Sequence, residues 1–453
     1  MAMSKSDGAA QGEFWIAVQD MPQAPGHPFY ERLNAILRKA EFDAYVEGLC
    51  EKFYKKGGRP SVRPGVYFRM LFLGYFEGLD SERGIAWRCA DSWSLRQFLG
   101  YTLRERTPDH STLCVIRQRI DVETHNEVFI WVLKLLAKED LLSSKTTGVD
   151  GTTLEANAAL RNIVRRDTGE KYRDFLIRLA KESGIETPTQ ADLAKLDRKR
   201  PHKGSNIDWK NPHDPDAKIA KMKDGSTHLA HKAEHAVDME SGAVVAVTLQ
   251  GANLGDTTTI YPTVTTATDN LERVAEDRQA AKQIAAPRVQ EVVADKGYHS
   301  NEVIRTHEDA EIRTYIAEPE RRGERNWEDK ERERKAVCGN RRRVKGTRGR
   351  KLMVRRGELI ERSFAHCYET GGMRRIHLRE HPNILKRLLI HVAGFNISLI
   401  LRKLIGHGTP REAAEALKRL VFALFRPVMR QTDWCGEKWN PARISGLLSV
   451  HAA

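Results

Sequence analysis

The sequence predicts an α/β protein with an all-α domain in front of it, and three observations carry that prediction. Apolar residues recur at helical spacing up to about residue 140, where no alternating pattern competes. From Lys145 onward, short runs rich in Val, Thr and Gly alternate with helical stretches, the rhythm of a sheet covered by helices. After the first of those runs comes a long polar stretch whose contribution to the core should be small.

In the first domain, residues 1–140, helices are expected around Phe42–Phe53, Val66–Phe76 and Val128–Leu136, with shorter ones at Ser81–Cys89 and Ser94–Leu99. Thr107-Pro108 offers an N-cap and a first-turn proline for a further helix. Leu113, Ile116 and Ile120 share one face of it, which leaves Arg117 and Arg119 to meet phosphates if this is the recognition helix of a helix-turn-helix. An ordinary bundle helix with solvated arginines is the alternative.

The second domain, residues 141–405, opens with a strand at Thr146–Leu154. The polar insertion follows at about 158–225, broken by Pro188, Pro201, Pro212 and Pro215 and with room for one or two helices. Leu229–Val237 and Ala243–Leu249 flank the turn Glu240-Ser241-Gly242 as a hairpin. A helix is expected over Asp256–Glu276, with Pro262 marking a kink or a later start. Val289–Ala294 reads as a buried strand ending at Asp295, Asn301–Glu308 as a helix and Arg313–Ala317 as a strand. Helices at Glu358–Tyr368 and Ile384–Leu404 close the domain, and residues 406–453 form a tail. The order strand, insertion, strand, strand, helix, strand, helix, strand, helix suits a ribonuclease-H-like core with a polar insertion after its first strand.

Charge narrows the function. Lys and Arg number 75 against 61 Asp and Glu, a formal net charge of +14, which points to a polyanionic partner and above all to nucleic acid. Within a basic segment at about 321–356, residues 341–356 hold nine basic residues and no acid. That run, with Arg341, Arg342, Arg343 and Lys345 at its start, reads as a DNA-backbone contact, with a solvated tether as the alternative. Six scattered cysteines form no Cys-x-x-Cys pair, which argues against a zinc site or a disulfide framework. The short apolar run Phe14–Val18 is no signal peptide, and Leu388–Leu401 is too short to span a bilayer and carries His391 and Asn396. A cytoplasmic protein with no membrane partner is expected.

Phosphodiester chemistry needs an activated attacking oxygen and a stabilised leaving oxygen, which two divalent ions about 3.5–4 Å apart can supply when carboxylates hold them. Asp150 lies inside the first strand, Asp295 at the carboxyl end of a later buried strand and Glu361 on a late helix. An aspartate inside an apolar strand is uncommon as filler. Asp295 could equally cap a turn or pair with Lys296, and Glu358 and Glu369 rival Glu361 on its helix. Asp238 beside the hairpin turn and Asp256 as a helix N-cap have structural explanations.

The segments VDGTTLEANA (149–158), VVADKGYHS (292–300) and ERSFAHCYETGGMRRIHLRE (361–380) resemble insertion-sequence transposases of the DDE type. The segment from Arg59 to Tyr101 resembles the helical N-terminal domain found in such enzymes. The resemblance implies a nuclease and strand-transferase with Asp150, Asp295 and Glu361 as the metal-holding triad, Mg2+ as the cofactor and Mn2+ as a substitute. It further implies double-stranded DNA, both transposon ends and target, as the partner of a homo-oligomer that works on the bacterial nucleoid. Lys296, Tyr298 and Arg362 would neighbour the triad and contact DNA, with Arg374 and Arg375 further cations. Position 368, seven after Glu361, carries a tyrosine where related enzymes place a cation. His299 and His366 read as structural or DNA-contacting side chains rather than metal ligands. A nuclease without strand transfer, or a non-catalytic DNA-binding descendant, are the alternative functions.

Overall fold

The structure is a computed structural model that describes residues 27–432 apart from 56, 58–60, 103, 201–202, 223–224, 321–324 and 326. The Phe14–Val18 run, Cys435 and the tail beyond residue 432 lie outside the described residues. Seven helices open the described chain: α1 (Pro28–Lys39), α2 (Phe42–Cys50), α3 (Pro64–Phe76), α4 (Glu82–Asp91), α5 (Trp93–Leu99), α6 (His110–Arg119) and α7 (Val122–Lys138). Their starts follow cap chemistry: Ser81, Ser92 and Asp121 each accept a backbone N–H from the first turn. At α6 the cap is Asp109 rather than Thr107, because its carboxylate takes the Thr112 N–H at 2.7 Å and Pro108 stays in the extended lead-in.

Strand β1 (Thr146–Glu155) begins the mixed α/β part. The insertion after it holds β2 (Val164–Arg165), α8 (Tyr172–Glu182), α9 (Gln190–Lys199), β3 (Trp209–Lys210) and β4 (Lys218–Lys221). It keeps a small core of its own, in which the Tyr172 and Phe175 rings pack edge-on against the buried Trp209. Then come the hairpin β5 (Thr227–Asp238) and β6 (Val244–Gly251), α10 (Asp256–Ala275), β7 (Glu291–Ala294), α11 (Asn301–Asp309) and β8 (Arg313–Ile316). Helix α10 starts at Asp256 and runs through Pro262. The described part closes with α12 (Glu331–Lys345), α13 (Thr347–Phe364), a π-helical turn at Ala365–Thr370, α14 (His381–Ile405) and α15 (Pro410–Thr432). The basic run 341–356 thus lies on two consecutive helices, α12 and α13, that meet at the extended Gly346.

Among the described residues the main sheet has the order β6-β5-β1-β7-β8, with β4 sharing β5's outer edge with β6. β5 and β6 are antiparallel to their neighbours, whereas β1, β7 and β8 run parallel. Both edges are closed by the same device. The Asn396 amide of α14 accepts from Val244 N and donates to Val244 O on β6, and Asn340 of α12 does the same to Ile316 on β8. Each amide satisfies the backbone pair that an edge strand leaves open.

The helical part and the sheet share one continuous hydrophobic core. Helix α14 joins them, packed against α3 and α7 on one side and β6 on the other. Its length and hydropathy would suit a membrane span, but 89% of that window is buried inside the protein, as a core helix is.

Candidate active site

Pairing across the sheet sorts the site by face. Asp150 is opposite His235, and Gly151 is opposite Glu234, so alternate residues of β1 look toward different layers. Gly148, on Asp150's face, lies under Arg356 and Ile360 of α13. Asp150 Oδ1 accepts its neighbour Gly151 N–H at 2.8 Å, and Oδ2 accepts Arg356 Nη1 at 2.7 Å. Burial raises the Asp150 pKa above the ordinary carboxylate value; Arg356 and the Gly151 N–H pull against it, and the charge of Asp295 adds to the rise.

Asp295 follows the last residue of β7 and caps the short turn Lys296–Tyr298, its Oδ1 taking the Gly297 N–H at 2.7 Å. The parallel register pairs Thr146 with Glu291 and Gly148 with Val293. Two residues further along, the same register sets Asp295 level with Asp150 on the adjacent chain. The two aspartates are thus neighbours just past the β1–β7 ladder, Asp295 at the carboxyl end of β7 and Asp150 midway along the longer β1.

Glu361 stands apart. It is exposed on α13 and makes no ion pair or side-chain hydrogen bond among the described residues. At about 100° per residue, Arg355 and Leu359 share the flank of α13 that meets Glu240 and Gly242 of the hairpin turn, beside the amino end of β1. Gly357 and Glu361 lie on the flank away from that turn, where a Cβ on Gly357 would meet nothing within 4 Å and Glu361 is exposed. Its rivals are otherwise engaged: Glu358 pairs with Arg362 at 2.6 Å, and Glu369 pairs with Arg374. Among the described residues no group of three or more Asp, Glu, His or Cys is close enough to hold a metal. Asp150 and Asp295 suit a hard divalent cation, being oxygen donors already within one another's field; the third ligand is not gathered to them.

Behind Gly151, on the face toward α10, lies a buried polar network that sequence reasoning missed. Glu234 accepts from Tyr298 Oη at 2.9 Å, from Thr263 Oγ1 at 2.7 Å and from Thr259. Lys232 Nζ reaches Glu234 at 3.1 Å, Asp256 at 2.5 Å and Thr259 at 2.7 Å. Tyr298 is therefore not a DNA contact: its side chain is buried, and burial together with Glu234 pushes its pKa up. Asp256 is the first helical residue of α10 rather than its cap, and its carboxylate is committed to Lys232. Lys232 and Glu234 at period two inside a strand that is otherwise mostly Ala, His and Val were the available signal.

The other expected DNA contacts divide by partner. Arg117 is excluded because it is buried and its Nε donates to Glu82 at 2.7 Å. Arg119 is exposed, with its guanidinium 5.1 Å from the Tyr54 ring centre. Arg341 is bidentate to Glu318 at 2.8 and 3.1 Å, and Arg343 donates to Thr314 O at 3.0 Å, whereas Arg342, Lys345 and Lys296 are exposed. Arg374 donates to Thr152 Oγ1 at 2.9 Å, and Arg375 is 61% exposed, 3.7 Å from Glu155. His299 and His366 are respectively buried and half-buried; His366 packs its ring on Phe395.

Two family models match the chain: "Transposase domain (DUF772)" over residues 18–119 and "Transposase DDE domain" over residues 199–397. No curated protein and no solved structure matches it. The first match covers most of the helical part, and the second runs from the insertion through β5–β8 to α14. An aspartate pair beside the β1–β7 ladder, a basic chain and both halves of a transposase in order lead to one conclusion: the chain belongs to the DDE transposases of insertion sequences, enzymes that cut DNA and transfer its strands with divalent metal.

Proposed function

We propose that Asp150, Asp295 and Glu361 carry the reaction of this transposase, in a ribonuclease-H-like core, with Mg2+ as the cation and Mn2+ as its substitute. The single observation behind this reading is the β1–β7 register that sets Asp150 beside Asp295. The sheet order, two strands antiparallel to a parallel trio, supports the fold assignment. A divalent cation at the carboxylates supplies Lewis acidity to the attacking and leaving oxygens.

The chain's own groups do the rest. Asp150 and Asp295 hold their acceptors rigidly, since each carboxylate is pinned through one oxygen to a nearby backbone N–H, that of Gly151 in β1 or Gly297 in the turn after β7. Glu361 supplies the third carboxylate from α13. Lys296, Arg342, Lys345 and Arg375, all exposed, bind the phosphates on either side, and Arg119 offers a further contact from the helical part. Residues 1–140 grip the transposon end, 141–405 form the catalytic domain, and 406–453 follow as a tail. The enzyme works as a homo-oligomer on double-stranded DNA in the bacterial cytoplasm.

The test is a supercoiled plasmid carrying candidate transposon ends, incubated with Mg2+. Wild-type protein is expected to yield joined products, while Asp150→Asn and Asp295→Asn lose nicking and joining yet retain DNA in a gel-shift assay. Normal cutting by either variant would overturn the assignment.

A further inference from the structure

Both oxygens of Asp150 are engaged. Oδ1 is bonded to Gly151 N–H, and Oδ2 is bonded to Arg356 Nη1. Arg356 is held in place from α13: its side chain is 12% exposed and its stem crosses Gly148, where a Cβ would come within 3.3 Å of Arg356 Cγ. Yet the guanidinium is poorly satisfied. It offers five donors in a fixed fork, and a well-made partner takes two of them side by side; here Nη1 alone reaches Asp150, and Nε is buried with no hydrogen-bond partner. Arg341 on Glu318 shows the bidentate alternative in the same protein.

We infer that Arg356 is a positioning residue that competes with the divalent cation for Asp150 Oδ2, so that metal loading is an exchange of one positive charge for another. The inference rests on the reading of Asp150 as a metal ligand. A half-buried carboxylate without a cation is costly, and Arg356 meets that need while registering α13, and Glu361 with it, on β1. Because the interaction is single and leaves Nε orphaned, a doubly charged ion that gathers Asp150 and Asp295 together can displace it.

Mn2+ affinity measured by electron paramagnetic resonance, without DNA, tests the exchange. Arg356→Gln and Arg356→Met are expected to bind Mn2+ more tightly, on the order of tenfold. Arg355→Gln removes the same charge one position away, where the guanidinium bonds Glu240 O instead, and is expected to change affinity far less. Asp150→Asn should abolish the binding in each background. In wild-type protein, saturating Mg2+ should raise phenylglyoxal labelling of Arg356, read by peptide mass spectrometry, which needs no variant to fold. If Asp150→Asn leaves Mn2+ binding intact, the metal-site reading fails. If Asp150→Asn removes binding while the Arg356 variants bind no tighter and labelling stays flat, the exchange alone is wrong.

Discussion

Arg387 of α14 lays its guanidinium across Gly74 of α3 and donates to the carbonyls of Leu71, at 2.8 Å, and Leu79, at 3.1 Å. Both residues are fully enclosed, and burial drives the Arg387 pKa down to about 10. This junction, with Lys386 donating to Arg117 O at 2.9 Å, fastens the helical part to the last core helix of the catalytic part. Glycine at position 74 is a packing requirement, since a Cβ there would come within 2.7 Å of Arg387 Cζ.

Gly74→Ala should therefore destabilise the whole chain by about 2 kcal/mol or more, the scale of an overpacked core site. The double variant with Arg387→Met should recover part of the loss, because the clash and the buried charge disappear together. Denaturant titration of the single and double variants checks this; additive losses would show that the two residues are not coupled.

Glu361 and Glu358 are three residues apart on one helix and have opposite expected roles. Glu361→Gln should abolish strand transfer with little change in melting temperature. Glu358→Gln breaks only an exposed ion pair with Arg362 and should leave activity within about twofold, since such pairs contribute little. The plasmid assay separates them, and equal losses would count against Glu361 as the third ligand.

Acid should unfold the protein through its buried histidines. His125 and His235 are fully buried and neutral, with pKa values pulled down by burial to about 3, and His391 is pulled well below its ordinary value. A folded-state pKa below the unfolded value means that the unfolded chain takes up the proton first. Stability is thus fully present above about pH 6.5 and falls as pH drops toward 3, by about 1.4 kcal/mol per pH unit for each such histidine. Denaturant midpoints at about pH 7.5, 6.0 and 5.0 should fall steadily. In a His125→Gln variant, which gives up the Tyr67 Oη bond at 3.0 Å, the decline should be shallower.

Within the basic helices only some cations face solvent without an acidic partner. Neutralising Arg342, Lys345 and Lys351 together should lower the log–log salt slope of DNA binding by up to about three, near one for each phosphate left unneutralised. Arg348→Gln, by contrast, strips Glu291 of its partner at 2.7 Å and should lower the melting temperature more than it alters the slope. Filter binding across a salt series distinguishes the two; an unchanged slope in the triple variant would remove this face from the DNA interface.

What could be read from the sequence was local. The hairpin at Glu240-Ser241-Gly242, the buried strand before Asp295, the helix at Asn301 and the helical front of the chain all announce themselves within a few residues, because periodicity and turn chemistry act at that range. The same holds for an aspartate set into an apolar strand, which made Asp150 conspicuous. Tertiary structure alone decided which charges are spent. Arg117 meets Glu82 across 35 residues, Arg348 meets Glu291 across 57, and Arg356 meets Asp150 across 206. An ion pair is a matter of distance in space and of shared burial, and a linear pattern encodes neither, so a solvated basic run and a set of helices with half their arginines engaged look the same until the chain is folded.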